Sequence, residues 1–126
     1  MRILVADDDK VISLLICATL RRAGHTPIPA FDAMQALMFA MRAPQPDAII
    51  LDLNMPGGGG LEALKKLKSS ARTTGIPVLV ISGDSSPAAP GAVTDLGAES
   101  FLPKPIVAET MLGELDRILA GSATSR

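Results

Sequence analysis

The stretch that decides the fold is Ala48-Ile49-Ile50-Leu51-Asp52-Leu53-Asn54-Met55-Pro56, an apolar run that ends on a carboxylate and leads into four glycines. An apolar run bounded by breaker residues predicts a strand buried on both faces, as in the centre of a parallel sheet. Asp52 then lies at the carboxyl end of that strand, where open α/β sheets bind their ligands. Asp is also a common turn residue, so this stretch alone leaves open whether Asp52 has a function or only shapes a turn.

The composition favours one small domain with an aliphatic core. The chain has 126 residues, of which 48% are hydrophobic and only 2% aromatic, and its formal net charge is -1. A nearly neutral chain without a dense Lys/Arg run lacks a basic surface, so nucleic acid binding is not expected. Neither a signal peptide nor a span of ~20 apolar residues is visible, so we predict a cytoplasmic protein without a membrane segment. The single cysteine, Cys17, excludes an internal disulfide and is typical of a buried or half-buried thiol.

A second acid-terminated strand opens the chain. Residues 3–5 are apolar, and Asp7, Asp8 and Asp9 follow shortly after them. Carboxylates just before a helix satisfy its free N–H groups and its dipole, which accounts for one or two of the three. Adjacent Asp7 and Asp8 repel each other, and that repulsion requires a compensating cation.

Hydrophobic periodicity predicts that strands and helices alternate along the rest of the chain. Further strands are expected at 26–30, 77–81 and 100–102, and helices at about 11–23, 32–42, 61–70 and 107–119, with a frayed tail from Gly121. Pro27 and Pro29 indicate that the second strand lies at a sheet edge. Pro87, Pro90 and Gly91 predict that the fourth helix is shortened or distorted. Five strands that alternate with five helices favour a parallel sheet with helices on both faces.

The first helix is apolar over more of its surface than one sheet contact requires. One stripe consists of Ile12, Ile16 and Leu20, and an adjoining stripe, called here the α1 stripe, consists of Val11, Leu14, Leu15 and Ala18. We predict that the first stripe packs against the sheet. The α1 stripe is then available to a partner protein.

Four predicted strands end in polar side chains. Asp7 and Asp8 follow the first strand, Asp52 ends the third, Ser82 follows the fourth and Lys104 follows the fifth. Because parallel strands end at one edge of the sheet, these side chains are expected to meet. Taken singly, Ser82 is typical of a turn and Lys104 of a solvated cation, but together they predict a site.

These motifs, in this order, resemble the receiver domain of two-component response regulators over residues 1 to about 119. The matching residues are Asp7-Asp8, Asp52 within Leu51-Asp52-Leu53-Asn54-Met55-Pro56, Ser82, and Phe101-Leu102-Pro103-Lys104-Pro105. The resemblance implies a flavodoxin-like (βα)5 doubly wound parallel sheet of strand order 2-1-3-4-5, with a receiver domain at 1–120 and a short tail at 121–126. It further implies a phosphorelay in which a histidine kinase or a histidine phosphotransfer protein phosphorylates Asp52.

The resemblance also implies a role for each motif residue. Asp8, Asp52 and the backbone carbonyl of Asn54 would bind Mg²⁺, and Asp7 would act through a metal-bound water. Lys104 and Ser82 would bind phosphoryl oxygens. Ser82 and Phe101 would form the switch, and the Lys104-Pro105 bond would be cis. These roles agree with general chemistry, because a carboxylate can attack phosphorus and Mg²⁺ prefers oxygen ligands.

Several residues depart from the family pattern. Residues 57–60 predict an unusually flexible loop, Gly83 stands where alanine is commoner, and Asp84 lies where it can influence an attacking water. The glycine-rich loop and the interrupted fourth helix put the regularity of the family's output face in doubt, and with it a homodimer through that face. They also leave the lifetime of the phosphoryl group open.

Three function classes remain for the sequence. The first is a stand-alone receiver that catalyses only its own phosphoryl transfer and dephosphorylation, is otherwise not an enzyme, and controls a downstream protein target. The second is a haloacid-dehalogenase-like phosphatase, which also uses an Asp nucleophile with Mg²⁺. That nucleophile normally ends the first strand and has an Asp two residues later, where this chain has Asn54. The third, a flavodoxin-like cofactor binder, is disfavoured because few aromatic residues are present to stack on a flavin.

Overall fold

The computed structural model describes residues 1–55, 59–83 and 89–125, with side chains given for 1–55, 59–83 and 91–121. The elements are β1 (Arg2–Ala6), α1 (Lys10–Arg22), β2 (Thr26–Ala30), α2 (Ala33–Met41), β3 (Ala48–Asp52), α3 (Gly59–Ser69), β4 (Val78–Ser82), α4 (Ala89–Asp95), β5 (Ser100–Pro103) and α5 (Ala108–Ser125). Every neighbouring pair of strands is parallel, and the strand order is β2-β1-β3-β4-β5. The predicted flavodoxin-like (βα)5 sheet is confirmed.

Helices cover both faces of the sheet because successive residues of a strand point to opposite sides. On β1, Ile3 and Val5 pack with α1 and α5, whereas Leu4 and Ala6 pack with α2 and α3. The buried hydrophobic residues are Ala, Val, Ile, Leu and Met, together with Cys17. This is the aliphatic core that the composition predicts. Within the described ranges, no helix combines the length and the apolar character needed to cross a membrane.

Asp9 is the aspartate that starts α1. Its Oδ1 accepts hydrogen bonds from the N–H groups of Val11 at 2.9 Å and Ile12 at 3.1 Å. An N-cap of this kind satisfies donors that the first helical turn leaves free. Asp7 and Asp8 are therefore not needed as the cap.

The two apolar stripes of α1 separate as predicted. Ile16 and Leu20 are buried against the sheet. Within the α1 stripe, the exposed fractions are 65% for Val11, 68% for Leu14 and 65% for Leu15. Ala18 is half-buried and contributes less to the exposed surface. The α1 stripe therefore forms an apolar surface on the outside of the domain.

β2 forms one edge of the sheet, as its prolines predict. The Thr26 N–H donates to the Met1 carbonyl at 2.9 Å, and the Ala30 carbonyl accepts from the Asp7 N–H at 3.0 Å. Since backbone groups alternate in direction along a strand, Pro27 and Pro29 point away from β1. The two prolines therefore occupy the positions whose N–H groups would face outward.

Two helix ends differ from the sequence predictions by more than one residue. α3 begins at Gly59 rather than Leu61. The spacing of Leu61, Leu64 and Leu67 predicts that all three pack against the sheet, but Leu61 is 36% exposed. α5 continues to Ser125 rather than ending at Leu119, so Gly121 lies inside the helix and not in a tail. A glycine inside a helix costs only about 1 kcal/mol, which the packing of the preceding turns offsets. α4 is described from Ala89 to Asp95 and contains Pro90 and Gly91. Because residues 84–88, Pro87 among them, lie outside the described residues, the expected shortening or distortion of the fourth helix stays a prediction.

Lys68 joins three segments at the end of the sheet where β4 begins. Its Nζ donates to the Ile76 carbonyl at 2.9 Å and to the Thr74 carbonyl at 3.2 Å. The same ammonium group forms an ion pair with Glu99, which precedes β5. Only 10% of the Lys68 side chain is exposed. Helix α3, the loop before β4 and the start of β5 therefore share one cation.

We expect Lys68→Met to lower the free energy of unfolding by about 2 kcal/mol. The change keeps the aliphatic length but leaves two carbonyls and a partly buried carboxylate without their donor. Urea unfolding followed by circular dichroism measures the loss. The control is Lys66→Met, two positions earlier and exposed, which should change stability by less than about 0.5 kcal/mol. Equal effects of the two substitutions would contradict this role for Lys68.

Candidate functional site

The carboxyl ends of four strands bring the predicted polar residues together. Asp7 follows β1, Asp52 ends β3, Ser82 ends β4 and Lys104 follows β5. The first three are buried, with 0% of Asp7, 2% of Asp52 and 0% of Ser82 exposed. Burial of this kind is unusual for polar side chains, which are found inside chiefly when they have partners.

Three carboxylates converge at this edge of the sheet. One oxygen from each of Asp7, Asp8 and Asp52 lies within 4.8 Å of the others. Asp8 is exposed, so the cluster opens to solvent on its side. The predicted acid cluster is therefore present as a geometric unit, which we call the acid cluster below.

Lys104 is the cation of the site. Its Nζ lies 3.3 Å from Asp7 Oδ2 and 3.4 Å from Asp52 Oδ2. The Lys104 N–H donates to the Ser82 carbonyl at 2.9 Å, directly after Pro103, which has no N–H to donate. This backbone bond fixes the base of the side chain next to β4. The Lys104-Pro105 peptide bond is cis, as expected.

Burial and charge act in opposite directions on these groups. Burial raises the pKa of Asp52, and the Asp7 charge adds to that effect, while the Asn54 N–H and Lys104 lower it in part. Burial alone would lower the pKa of Lys104, but the Asp52 and Asp7 carboxylates raise it above its ordinary value. Lys104 therefore remains charged. A single ammonium group balances one of the three negative charges.

Asn54 connects the third and fourth strands at the site. Its backbone N–H donates to Asp52 Oδ1 at 3.1 Å, and its side-chain Nδ2 donates to Ser82 Oγ at 3.3 Å. The sequence analysis considered only the backbone carbonyl of Asn54 and did not predict this side-chain contact. The hydrogen bond from the Asn54 backbone N–H orients the Asp52 carboxylate through Oδ1, while Lys104 approaches Oδ2. Asn54 is thus a positioning residue for both Asp52 and Ser82.

The first residues of α3 lie against the backbone of β3. A Cβ on Gly60 would lie 2.0 Å from the Asp52 carbonyl oxygen and 2.6 Å from the Leu53 Cα, so only glycine fits. Gly59 has a φ of +73°, which also favours glycine. Sequence analysis assigned both residues to a flexible loop and missed this packing. Gly57 and Gly58 of the predicted loop, and Asp84, lie outside the described residues.

The side chains at the acid cluster are suited to a divalent cation. Asp7 Oδ2 is buried and, among the residues described, receives no hydrogen bond, although Lys104 Nζ lies near it. Because Lys104 is shared between Asp7 and Asp52, the three carboxylates still carry an excess of negative charge that a further cation would offset. Mg²⁺ prefers carboxylate and carbonyl oxygens and retains several waters, which the exposed side of Asp8 permits. The donor set therefore fits Mg²⁺ chemistry.

We expect Mg²⁺ to stabilise the folded chain and EDTA to reverse the effect. At a concentration ten times its Kd, an ion that binds only the folded state adds about 1.4 kcal/mol. Asp8→Asn should remove most of this gain without disturbing the core, because Asp8 is exposed. Thermal unfolding with and without Mg²⁺ measures the difference, and Asp116→Asn, an exposed acid on α5, is the control. A full Mg²⁺ effect in the Asp8 variant would contradict binding at the acid cluster.

A family model places the chain among known proteins. The model described as "Response regulator receiver domain" matches residues 3–116. That range contains all of β1 to β5 apart from Arg2, together with Asp7, Asp52, Ser82 and Lys104. The match therefore extends over both the fold and the site.

Curated relatives and solved structures agree with that match. The sensory/regulatory protein RpfC of Xanthomonas campestris is 42% identical over 119 residues, covering 91% of this chain but only 16% of RpfC. Protein PilH of Pseudomonas aeruginosa is 31% identical over 120 residues, covering 95% of this chain and 98% of PilH. The crystal structure of chemotaxis protein CheY4 of Vibrio cholerae has a TM-score of 0.85 at 32% identity, covering 93% of this chain and 97% of CheY4. The chain thus spans a small part of RpfC and nearly all of PilH and CheY4.

Proposed function

This chain belongs to the response regulator receiver domain family of two-component systems, and on that basis we propose that Asp52 is its phosphoacceptor. The phosphodonor would be a histidine kinase or a histidine phosphotransfer protein. The observation that carries the proposal is the placement of the buried Asp52 carboxylate between the Lys104 ammonium and two further acids. A carboxylate oxygen attacks the phosphorus of the phosphohistidine, the P–N bond breaks, and the histidine nitrogen keeps the electron pair and is protonated.

Mg²⁺ is the cofactor that the acid cluster would hold. Asp8, Asp52 and the Asn54 carbonyl are the proposed ligands, with Asp7 acting through a metal-bound water. When bound, the ion neutralises the carboxylates and the incoming phosphoryl oxygens, which is the main requirement of phosphoryl transfer. The convergence of three carboxylates on one ammonium group supports this assignment.

Lys104 and Ser82 are the proposed contacts of the transferred phosphoryl group. Lys104 Nζ already lies 3.4 Å from Asp52 Oδ2, so a small movement would bring it to an oxygen of a phosphoryl group bonded to that carboxylate. It would act as a point charge that binds phosphate without geometric selectivity. The Ser82 hydroxyl would donate a hydrogen bond to a second phosphoryl oxygen, while Asn54 Nδ2 donates a hydrogen bond to Ser82 Oγ.

Ser82 and Phe101 are the proposed switch. Phosphorylation adds up to two negative charges and three acceptor oxygens beside Ser82. Phe101 is half-buried on β5 and packs against the core on the α2 and α3 side, so it has room to change its exposure. We propose that Ser82 moves toward the phosphoryl group and that Phe101 turns inward. The changed surface would then bind a downstream protein or a second copy of the chain.

The α1 stripe is the proposed docking surface for the phosphodonor. Val11, Leu14 and Leu15 follow the acid cluster directly in sequence and are largely exposed. Beside them, a cavity of about 220 Å³ between α1 and the start of α5 includes Leu15, Lys104 and Pro105 in its lining. A partner that packs its apolar side chains here would hold its phosphohistidine near Asp52.

We expect Leu14→Glu to slow phosphoryl transfer from the donor protein by at least about tenfold. This factor corresponds to about 1.4 kcal/mol, the free energy of one lost apolar contact. Phosphorylation by acetyl phosphate should be unchanged, because Leu14 is 68% exposed and distant from the folding core. Radiolabel transfer at matched concentrations measures both rates. Met34→Glu, on α2 and 73% exposed, is the control. An equal loss with both donors would contradict docking at this stripe.

The haloacid-dehalogenase-like alternative is less consistent with the fold. Its nucleophile normally ends the first strand, whereas Asp52 ends β3 in the centre of the sheet. We therefore propose that the chain catalyses only its own phosphorylation and dephosphorylation. The deciding experiment is the intact mass of the wild type and of Asp52→Asn after incubation with acetyl phosphate and Mg²⁺.

A further inference from the structure

A cavity lined by two arginines and by apolar side chains lies at the opposite end of the sheet from the acid cluster. It measures about 200 Å³ and is lined by Arg2, Ile28, Phe39, Arg42, Ala43 and Pro44. Arg2 begins β1 and Arg42 follows the last residue of α2, so the cavity lies at the amino edge of the sheet. We propose that this Arg2–Arg42 cavity binds a small organic oxyanion, either a phosphate ester or a carboxylate.

The Arg2 side chain has a buried N–H donor without an acceptor among the residues described. The backbone of Arg2 is held on both sides by Asp47, whose Oδ2 accepts from the Arg2 N–H at 2.8 Å and whose N–H donates to the Arg2 carbonyl at 2.8 Å. The Arg2 Nε is buried and has no hydrogen-bond acceptor among the residues described. An unsatisfied buried donor costs about 1–3 kcal/mol. Arg2 also lines the cavity, so the proposed ligand would bring an acceptor next to its guanidinium group.

Arg42 supplies the second guanidinium group. Its Cζ lies 5.8 Å from the centroid of the Phe39 ring, within the range of a cation–π contact, so the ring holds the guanidinium at the cavity wall. In the described part of the chain, neither Arg2 nor Arg42 forms an ion pair with an acid. None of the lining residues is acidic. The Asp47 carboxylate beside the Arg2 backbone N–H offsets part of the charge, so the two guanidinium groups leave an excess of positive charge at the cavity.

The end of α2 does not cancel this positive field. Carbonyl groups at a helix C-terminus carry partial negative charge and would repel an anion if they were free. Here the Ala40 carbonyl accepts from Gln45 Nε2 at 2.9 Å, and the Met41 carbonyl accepts from Arg72 Nη2 at 2.9 Å. Arg72 also places a third cation at this end of the helix. The surroundings of the cavity thus favour an anion.

The shape and the walls indicate the class of ligand. A guanidinium group binds carboxylate and phosphate oxygens through paired N–H donors. Ile28, Phe39 and Pro44 provide apolar walls, which suit an organic body rather than a bare inorganic ion. A volume of about 200 Å³ is below the usual range for drug-sized ligands and accommodates roughly one ring. Phenyl phosphate and benzoate are therefore suitable probes.

The test is an NMR titration of the whole chain with each probe in buffer containing EDTA and no phosphodonor. We expect the Arg2 Nε–Hε signal and the backbone amide signals of Ile28 and Phe39 to shift in a saturable way, with weaker shifts for inorganic phosphate, which lacks the apolar body. The two amide signals also report binding in the variants. Arg2→Lys keeps the charge but removes the paired donors, and it should weaken binding by about tenfold, as should Arg42→Gln. Arg22→Gln, an exposed arginine on α1, is the matched control and should bind as the wild type does.

Three results would overturn the proposal. One is the absence of a saturable shift at millimolar probe. Another is binding that survives both Arg2→Lys and Arg42→Gln. The third is a shift confined to the Ser82 and Lys104 signals, which would place the probe in the phosphoryl pocket instead. Because neither Mg²⁺ nor a phosphodonor is present, these outcomes do not depend on whether Asp52 is phosphorylated.

Discussion

We expect Asp52→Asn to abolish phosphorylation of the chain by acetyl phosphate in the presence of Mg²⁺. An amide has nearly the same shape as a carboxylate, but its nitrogen and oxygen are poor nucleophiles, so the step that forms the acyl phosphate is lost. The wild type is expected to gain the mass of one phosphoryl group, and the variant none. Intact mass spectrometry of both proteins, with peptide mapping of the wild type, measures the result.

The same substitution is expected to leave the fold intact and to raise its stability without Mg²⁺. Asp52 is 2% exposed and belongs to a group of three carboxylates with one ammonium partner, so removing one negative charge reduces repulsion. Thermal unfolding in EDTA tests this point. Asp116→Asn, an exposed acid far along α5, is the control and should be labelled as the wild type is. Labelling of the Asp52 variant at wild-type level would refute the proposed phosphoacceptor.

Gly60→Ala is expected to be the most destabilising single methyl addition at the site. The new Cβ would lie 2.0 Å from the Asp52 carbonyl oxygen and 2.6 Å from the Leu53 Cα. Both are backbone atoms, so a rotamer change cannot relieve the overlap, and α3 must move away from β3. Overpacking typically costs about 1–3 kcal/mol, and because both overlaps are with backbone atoms we expect this variant at the upper end. The shift also displaces the carbonyl end of Asp52, so phosphorylation should fall together with stability.

The matched control for this prediction is Gly113→Ala on α5. No atom lies within 4 Å of a Cβ at Gly113, so alanine should stabilise that helix by up to about 1 kcal/mol. Urea unfolding measures the two variants, and acetyl phosphate labelling under folding conditions measures function. The close packing of Gly60 on β3 would be refuted if Gly60→Ala unfolded at the wild-type urea concentration.

The sequence predicted the parts of the structure that depend on strand order and strand ends. An apolar run followed by a polar residue fixes where a parallel strand stops, and four such endings were enough to place Asp7, Asp52, Ser82 and Lys104 at one edge. Asp8 joins them because it is adjacent in sequence to Asp7. The edge position of β2 followed in the same way from the backbone chemistry of Pro27 and Pro29.

The missed features depend on distances between elements, which local sequence does not encode. The hydrogen bond from Asn54 to Ser82 spans two strands and requires the loop after β3 to turn in one particular direction. Gly60 is typical of a loop in sequence, yet it lies in α3, where the absence of a Cβ lets the helix approach the Asp52 and Leu53 backbone. Leu61 was assigned to the core by its spacing, but α3 begins two residues earlier and turns that side chain outward.

The prolines of β2 also determine how this sheet can meet other chains. A foreign strand that approaches β2 would find carbonyl acceptors at Pro27 and Pro29 but no N–H donors there, so it could form only half of a ladder. Growth of the sheet by strand addition, whether by a peptide ligand or in fibrillar assembly, is therefore blocked on this side. Any intermolecular ladder would have to form on β5, so the two edges of the sheet differ in their capacity for strand pairing.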